Sequence, residues 1–139
     1  MSVIYSVIFS LVFNAAAYGL LLIRLANASA LEFLALALLI PMLFNSFLYV
    51  RGCWGNREWV CIVLLALLTT AGYFVFGLAA GAMGAAEAFA ANNTFQSDTI
   101  SIDVGENISS LSNIIVVFLA QFCTMTVLRF ILKKRGTRS

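Results

Sequence analysis

Long apolar stretches, separated by shorter polar ones, make up most of this chain. Four of them run over residues 3–23, 31–50, 59–82 and 114–132. Each is close to the roughly 20 apolar residues with which a helix crosses a bilayer, and none shows the strict alternation of a membrane-barrel strand. We predict an all-α integral membrane protein, with residues 1–139 forming a single transmembrane domain of four helices.

Composition agrees with this pattern, and charge gives the helices a direction. The chain is 63% hydrophobic and 10% charged, whereas a soluble domain is about 25% charged. Basic residues gather between the second and third stretches and after the fourth: Arg51, Arg57, Lys133, Lys134, Arg135 and Arg138. Because such residues favour the cytoplasmic side, we predict cytoplasmic N and C termini and two hairpins. The predicted location is the bacterial inner (cytoplasmic) membrane, as a multi-pass protein.

The opposite side of the membrane is predicted to carry most acidic residues and the longest loop. A polar segment over residues 91–113 would be periplasmic, and its "TISIDV" alternates as a short strand does. Arg24 and Glu32 flank the first outer turn, and we expect them to pair with each other.

Several kinds of chemistry are disfavoured by what the sequence lacks. It has no His, and its three Cys residues form no CxxC pair, which removes the usual zinc and haem ligands and the commonest general base. No acidic residue is predicted to lie mid-membrane. We predict no enzyme activity, no catalytic residue, no cofactor and no metal site. Cys53 and Cys61 are predicted to be reduced thiols, because they lie at the cytoplasmic loop.

Each apolar stretch also contains polar side chains. In the first, Ser6, Ser10, Asn14 and Tyr18 recur every four residues and form one slowly drifting stripe on a helix. The other stretches contribute Asn45, Ser46, Tyr49, Thr69, Thr70, Tyr73, Gln121, Thr124 and Thr126. Polar groups avoid lipid, so the pattern predicts one of two arrangements. One is interhelical hydrogen bonding, worth about 0.6 kcal/mol per pair, and the other is a polar groove for a lipid head group.

The third stretch continues past the depth of a bilayer in small residues. Gly77 and Gly81 form a GxxxG motif within "FGLAAGAMGAAEAFAA", and this spacing lets helix backbones approach closely. It predicts tight packing inside the bundle or between protomers, including a homodimer through Gly77 and Gly81. The alternative is a flexible or broken helix end that lines a cavity.

Three segments carry a resemblance to a known family. They are "FNAAAYGL" around Asn14, "LFNSFLYVRG" over residues 43–52 and "LRFILKKR" over residues 128–135. Residues 47–52 and 131–136 also echo each other, since each ends a predicted inward-running helix in Arg-Gly. Together these segments resemble the GtrA-like family, small four-helix membrane proteins of polysaccharide biosynthesis. The similarity covers nearly the whole chain in helix number, loop order and orientation.

The resemblance implies translocation, or flipping, of a polyprenyl-phosphate-linked sugar across the inner membrane for cell-surface polysaccharide glycosylation. It implies substrate-binding roles for Asn14, Asn45, Arg51 and Arg129. Asn45 would hydrogen-bond the sugar or phosphate, and the two arginines would attract the phosphate, because guanidinium groups match phosphate geometry. The expected partners are the sugar lipid, membrane lipids and a membrane glycosyltransferase, and no nucleic acid.

Functions without transport are alternatives. A four-helix chain of this kind suits an immunity protein that blocks a pore-forming toxin, or an accessory subunit of a larger membrane complex. The small-residue third helix and the long outer loop fit that interpretation as well. A holin-like lysis protein is a third possibility, which the polar stripe and the paired hairpins disfavour.

Overall fold

The computed structural model describes residues 3–53, 57–96, 101–102 and 107–136. The helices are α1 (Val3–Arg24), α2 (Ala30–Leu34), α3 (Ile40–Gly52), α4 (Glu58–Ala82), α5 (Ala85–Asn93) and α6 (Leu111–Gly136). A 3₁₀ turn (Leu25–Asn27) follows α1, and a π-helical segment (Ala35–Leu39) joins α2 to α3. Two short strands, β1 (Phe95–Gln96) and β2 (Ser101–Ile102), pair in antiparallel fashion.

Four of these helical segments are long and apolar enough to cross a membrane. They cover Val3–Asn27, Ala30–Gly52, Glu58–Ala82 and Leu111–Arg135. The second contains α2, the π-helical segment and α3. Many large apolar side chains on these helices face outward, as Ile23 does with 82% of its surface exposed. An apolar exterior is what a multi-pass membrane protein requires, so the all-α class and the four apolar helices are confirmed.

The four long helices form one bundle. Helix α1 packs against α3 and α4, and α6 packs against the same two helices. The first hairpin (α1 with α3) and the second (α4 with α6) therefore lie side by side. We call the end that carries Arg51, Arg57 and Lys133 the basic end, and the end that carries Arg24 and α5 the distal end.

Proline explains the π-helical segment and one of its contacts. Pro41 has no N–H, so the carbonyl of Ala37, four residues earlier, loses its α-helical donor. The wider π turn ends beside it, where Ile40 N–H reaches the carbonyl of Ala35. The hydroxyl of Tyr18 donates to the Ala37 oxygen at 3.2 Å. The Tyr18 hydroxyl, part of the polar stripe of α1, thus replaces the donor that the Ala37 carbonyl loses at Pro41.

The distal end is closed by α5 rather than by a longer α4. The predicted overrun of the third stretch breaks at Gly84, whose φ of +70° suits a residue without a side chain. Helix α5 then folds back, and the amide of Asn93 donates to the carbonyls of Ala28 (3.0 Å) and Phe89 (2.9 Å). Its oxygen accepts from Ala30 N at 2.7 Å. One asparagine therefore fastens α5 across the turn between α1 and α2.

Gly77 packs inside the chain, whereas Gly81 does not. A Cβ at Gly77 would lie 2.8 Å from the Cβ of Ser109, whereas no atom of another described residue lies within 4 Å of one at Gly81. Close packing inside the bundle is therefore the role of Gly77. A homodimer through Gly77 and Gly81 stays a prediction, and only Gly81 has open space for a second chain.

Two smaller expectations concern the distal end. Arg24 and Glu32 form the expected ion pair at 3.4 Å, with both side chains largely exposed. Within "TISIDV", residues 101–102 form the predicted short strand, paired with β1. Residues 99–100 and 103–104 of that segment lie outside the described residues.

Candidate functional site

Polar side chains from all four long helices meet in the middle of the bundle. They are Ser10 and Asn14 of α1, Asn45 of α3, Thr69 of α4 and Gln121 of α6, and each is at most 2% exposed. We call these five residues the central network. Polar groups in an apolar bundle are stable only when they find partners, and the network supplies most of them.

Asn45 is the hub of the central network. Its oxygen accepts from Ser10 Oγ at 2.8 Å. Its nitrogen donates to Thr69 Oγ1 at 2.7 Å and to Gln121 Oε1 at 3.1 Å. One side chain on α3 therefore bonds to the three other long helices. Interhelical hydrogen bonding, one of the two arrangements that the sequence left open, is thus present.

The central network also has unused bonding groups. Asn14 Nδ2 lies within hydrogen-bond distance of Ser10 O (2.8 Å), Ser10 Oγ (3.0 Å) and Thr69 Oγ1 (3.2 Å). Its Oδ1 is buried and has no hydrogen-bond partner among the described residues, and the same holds for Nε2 of Gln121. The network therefore offers one acceptor and one donor to a further polar group.

A groove between α1 and α4 leads to Asn14. It encloses about 310 Å³, and its lining includes Asn14, Tyr18, Gly19, Gly72 and Phe76. Gly72 is needed beside the Tyr18 ring, because a Cβ there would lie 3.1 Å from a ring carbon. The groove is apolar over most of its length and polar where it meets the network.

A second groove, at the basic end, ends at Arg51. It encloses about 460 Å³ and is lined by Phe9, Phe44, Phe47, Leu48 and Arg51. The guanidinium carbon of Arg51 lies 5.7 Å from the centre of the Phe47 ring, within cation–π range. Arg51 is exposed, and no acidic partner for it lies within the described ranges. The groove thus combines an aromatic wall with an accessible cation.

Arg129 is held very differently. Its Nε donates to Glu58 Oε2 at 2.6 Å, and the two side chains are only 13% and 12% exposed. Its guanidinium carbon lies 4.6 Å from the centre of the Trp59 ring. Lys133 Nζ lies 4.0 Å from the same carboxylate oxygen. The charge of Arg129 is therefore balanced within the protein.

The structure thus separates the four predicted site residues. Asn14 and Asn45 meet in the central network, Arg51 lies at the basic-end groove, and Arg129 is paired with Glu58. Glu58 was not among the predicted site residues. Its signal was available, because Glu58 directly follows Arg57 and is the one acidic residue of the sequence on the predicted cytoplasmic side. Such a residue is a natural partner for an arginine that lies within an apolar helix.

Three further polar residues of the helices bond outside the central network. Ser46 Oγ donates to the Met42 carbonyl and Thr70 Oγ1 to the Ala66 carbonyl, each within its own helix. Thr124 Oγ1 contacts Met42 Sδ at 3.1 Å. None of these three bonds extends the central network. Thr126 Oγ1 is buried and has no hydrogen-bond partner among the described residues.

Cys53 and Cys61 form a disulfide, which differs from the prediction of two reduced thiols. It joins the end of α3 to the start of α4, with the two Cα atoms 6.1 Å apart and both residues almost fully buried. The short connection between the helices brings the two cysteines together, a proximity that their spacing alone did not reveal. Cys123 is free and exposed. In the described part of the chain, no three His, Cys, Asp or Glu side chains lie close enough together to hold a metal ion.

Comparison with protein families, curated proteins and solved structures finds no match for this chain. The resemblance to the GtrA-like family therefore stays a prediction.

Proposed function

We propose that this chain translocates a polyprenyl-phosphate-linked sugar across the bacterial inner membrane, by binding and release and without covalent chemistry. The observation that carries the proposal is a buried network with one unused acceptor and one unused donor, beside a groove open to the bundle surface. The substrate has an anionic phosphate, a polar sugar and a long apolar tail. The chain offers a separate environment for each of these parts.

Arg51 supports the capture of the phosphate. Its guanidinium group is exposed and stands at the end of an aromatic groove. Guanidinium forks match phosphate oxygens, and the wall of Phe9, Phe44 and Phe47 suits the first isoprenoid units of the tail. In this proposal the lipid is first bound at the basic end.

The central network supports passage of the sugar. Asn14 lines the α1–α4 groove and carries the unused acceptor Oδ1. A sugar hydroxyl loses hydrogen bonds to water when it enters the apolar interior. A bond donated to Asn14 Oδ1 would replace one of them. The tail would remain in lipid while the head group follows the groove. Asn45 then acts indirectly, because its bonds hold Asn14's partners Ser10 and Thr69 in place.

Arg129 has a supporting role in this proposal. Its ion pair with Glu58 fixes α6 against the start of α4. Removal of a charge from a pair this well buried is costly, so we assign Arg129 to the stability of the basic end rather than to the phosphate.

The orientation of the chain in the membrane is proposed from its charges. The redox state of Cys53 and Cys61 in cells tests this orientation. The basic end would face the cytoplasm, yet disulfides persist mainly in oxidising compartments. We therefore expect Cys53 and Cys61 to be reduced in cells and to join on exposure to air. Acid quenching of cells, followed by thiol alkylation under denaturing conditions, measures this. A pair found oxidised at quenching would place the basic end in the periplasm and reverse the proposed direction.

The experiment for the function is a translocation assay in proteoliposomes with a radiolabelled polyprenyl-phosphate sugar. We expect the purified chain to move label between leaflets faster than protein-free vesicles do. A polytopic membrane protein of similar size serves as the control for general leakiness. An unchanged rate with correctly folded protein would reject the proposal.

An interaction protein without transport is the second candidate. The observation that favours it is the exposed surface of α6, since only 17% of its apolar window is buried, against 50% for α4. A protein partner such as a membrane glycosyltransferase, a toxin or a larger complex would cover that surface. Bulky substitutions at Leu119 and Val127, both exposed on α6, would then abolish function while leaving the Arg51 variant active.

A further inference from the structure

A pocket of about 460 Å³ lies at the distal end, between the start of α2, α5 and the segment that precedes α6. Its lining includes Phe33, Phe89, Asn107, Ile108, Ser110 and Asn113. This volume lies within the roughly 300–1,000 Å³ of small-molecule sites. The pocket lies at the opposite end of the bundle from Arg51. It shares no lining residue with the two grooves.

The walls of the pocket are held in place before any ligand arrives. Asn93 fastens α5 to the turn before α2 through two hydrogen bonds, to Ala28 O and from Ala30 N. Ser109 packs against Gly77, where even a Cβ would collide. Asn113 Nδ2 donates to the carbonyls of Asn107 (3.3 Å) and Ile108 (3.2 Å). A ligand would therefore find a formed site, which lowers the entropic cost of binding.

One side of the pocket is aromatic. The Phe33 and Phe89 ring centres lie 5.0 Å apart at an angle of 37°. Phe89 is buried, whereas Phe33 is half-buried and so provides the accessible ring. Such a ring suits a ligand that has an apolar C–H face.

The other side carries neutral amides and a hydroxyl. Asn113 Oδ1 and Asn107 Nδ2 make no hydrogen bond within the part of the chain that the structure describes, so they offer an acceptor and a donor. None of the described lining residues is charged, which disfavours a phosphate or another ionic group. The chemistry that fits is neutral and rich in hydroxyls, with one apolar face.

We infer that this distal pocket binds a neutral sugar, which stacks on Phe33 and hydrogen-bonds to Asn107 and Asn113. The inference rests on the proposed function for the source of the sugar, since it assigns the place where the sugar is held after crossing, with its phosphate outside the pocket. The pocket then binds the sugar at the distal end, opposite the phosphate site at Arg51.

Saturation-transfer-difference NMR on the full chain in nanodiscs tests the inference directly. The probes are the methyl glycosides of glucose, galactose, mannose, rhamnose and N-acetylglucosamine. We expect transfer to at least one of them, concentrated on the protons of one ring face. We expect Phe33→Ala to lower the affinity about tenfold or more and Phe33→Tyr, which keeps the ring, to retain it. Asn113→Ala should lower the affinity about threefold to tenfold, the equivalent of one hydrogen bond.

Ser112→Ala is the matched control, because Ser112 is exposed on the same first turn of α6 and does not line the pocket. No transfer from any of the five glycosides, or equal affinity in the wild type and Phe33→Ala, would overturn the inference. Translocation without glycoside binding would remove the distal site and leave the proposed function intact. Glycoside binding without translocation would keep the site and reject the proposed function.

Discussion

The central network and the Glu58–Arg129 pair both bury polar groups in an apolar bundle, but they differ in how completely those groups are bonded. At the ion pair, a carboxylate, a guanidinium group and the Trp59 ring satisfy one another. In the network, Asn14 Oδ1 and Gln121 Nε2 are left over. A closed arrangement can only stabilise the fold, whereas an open one can also accept a ligand. We therefore predict that the first region contributes to stability alone, and propose that the second also takes part in function.

The largest effect is expected at the ion pair. Glu58→Ala leaves the buried Arg129 without its carboxylate and should lower the free energy of unfolding by about 3 kcal/mol. Arg129→Ala should cost less, because Lys133 remains 4.0 Å from the Glu58 carboxylate. Thermal or SDS unfolding in detergent measures both changes.

The double variant Glu58→Met with Arg129→Met is the matched control for that pair. It removes both charges together, and we expect it to recover most of the lost stability. Equal stability of Glu58→Ala and the wild type would show that the pair does not hold the basic end. The assignment of Arg129 to structure would then fail.

The hub of the central network should come second. Asn45→Ala breaks bonds to three helices and should destabilise the bundle by about 2 kcal/mol, since each buried partner loses about 1 kcal/mol or less. Ser46→Ala is the control, because within the described part of the chain its hydroxyl bonds only to Met42 of its own helix. We expect that change to stay within about 0.5 kcal/mol. Similar losses for both variants, measured by the same unfolding assay, would contradict the network.

A smaller change in stability is expected at an open group of the network. Gln121→Met removes the unused donor Nε2 together with Oε1, while Asn45 keeps its 2.7 Å bond to Thr69. The cost should be near 0.6 kcal/mol, yet translocation should slow severalfold if the donor contacts the head group. Thr124→Val on the same helix changes a hydroxyl outside the network and should leave the rate unchanged. A wild-type rate for Gln121→Met would make the network purely structural.

The sequence contains much of the fold, because apolar length and basic ends depend only on composition and order. The four long apolar helices and the Arg24–Glu32 pair follow from these features. The inward-facing polar stripe of α1 follows from the four-residue spacing of its polar side chains. The polarity of Asn14 and Asn45 within apolar helices indicated that both face the interior of the bundle. That they share Thr69 as a partner depends on how α1, α3 and α4 are rotated, which no single-helix pattern records.

Contacts between distant segments were the parts that the sequence could not supply. The fold-back of α5 required Gly84 in a left-handed conformation and Asn93 as its clasp. Arg51 and Arg129 looked equivalent in the sequence, since each lies near the basic end of an apolar helix. Their environments differ because α6 packs against α4, so that Arg129 lies beside Glu58 at the start of α4. The distal pocket likewise joins residues from three separate segments.

The most direct test of this account is the translocation rate of Arg51→Ala in proteoliposomes. Arg51 is exposed, so the variant should fold as stably as the wild type. We predict that it moves the labelled polyprenyl-phosphate sugar about tenfold more slowly, while Arg57→Ala, which removes a neighbouring exposed charge, keeps the wild-type rate. Equal rates for Arg51→Ala, Arg57→Ala and the wild type would contradict the assignment of Arg51 as the phosphate site.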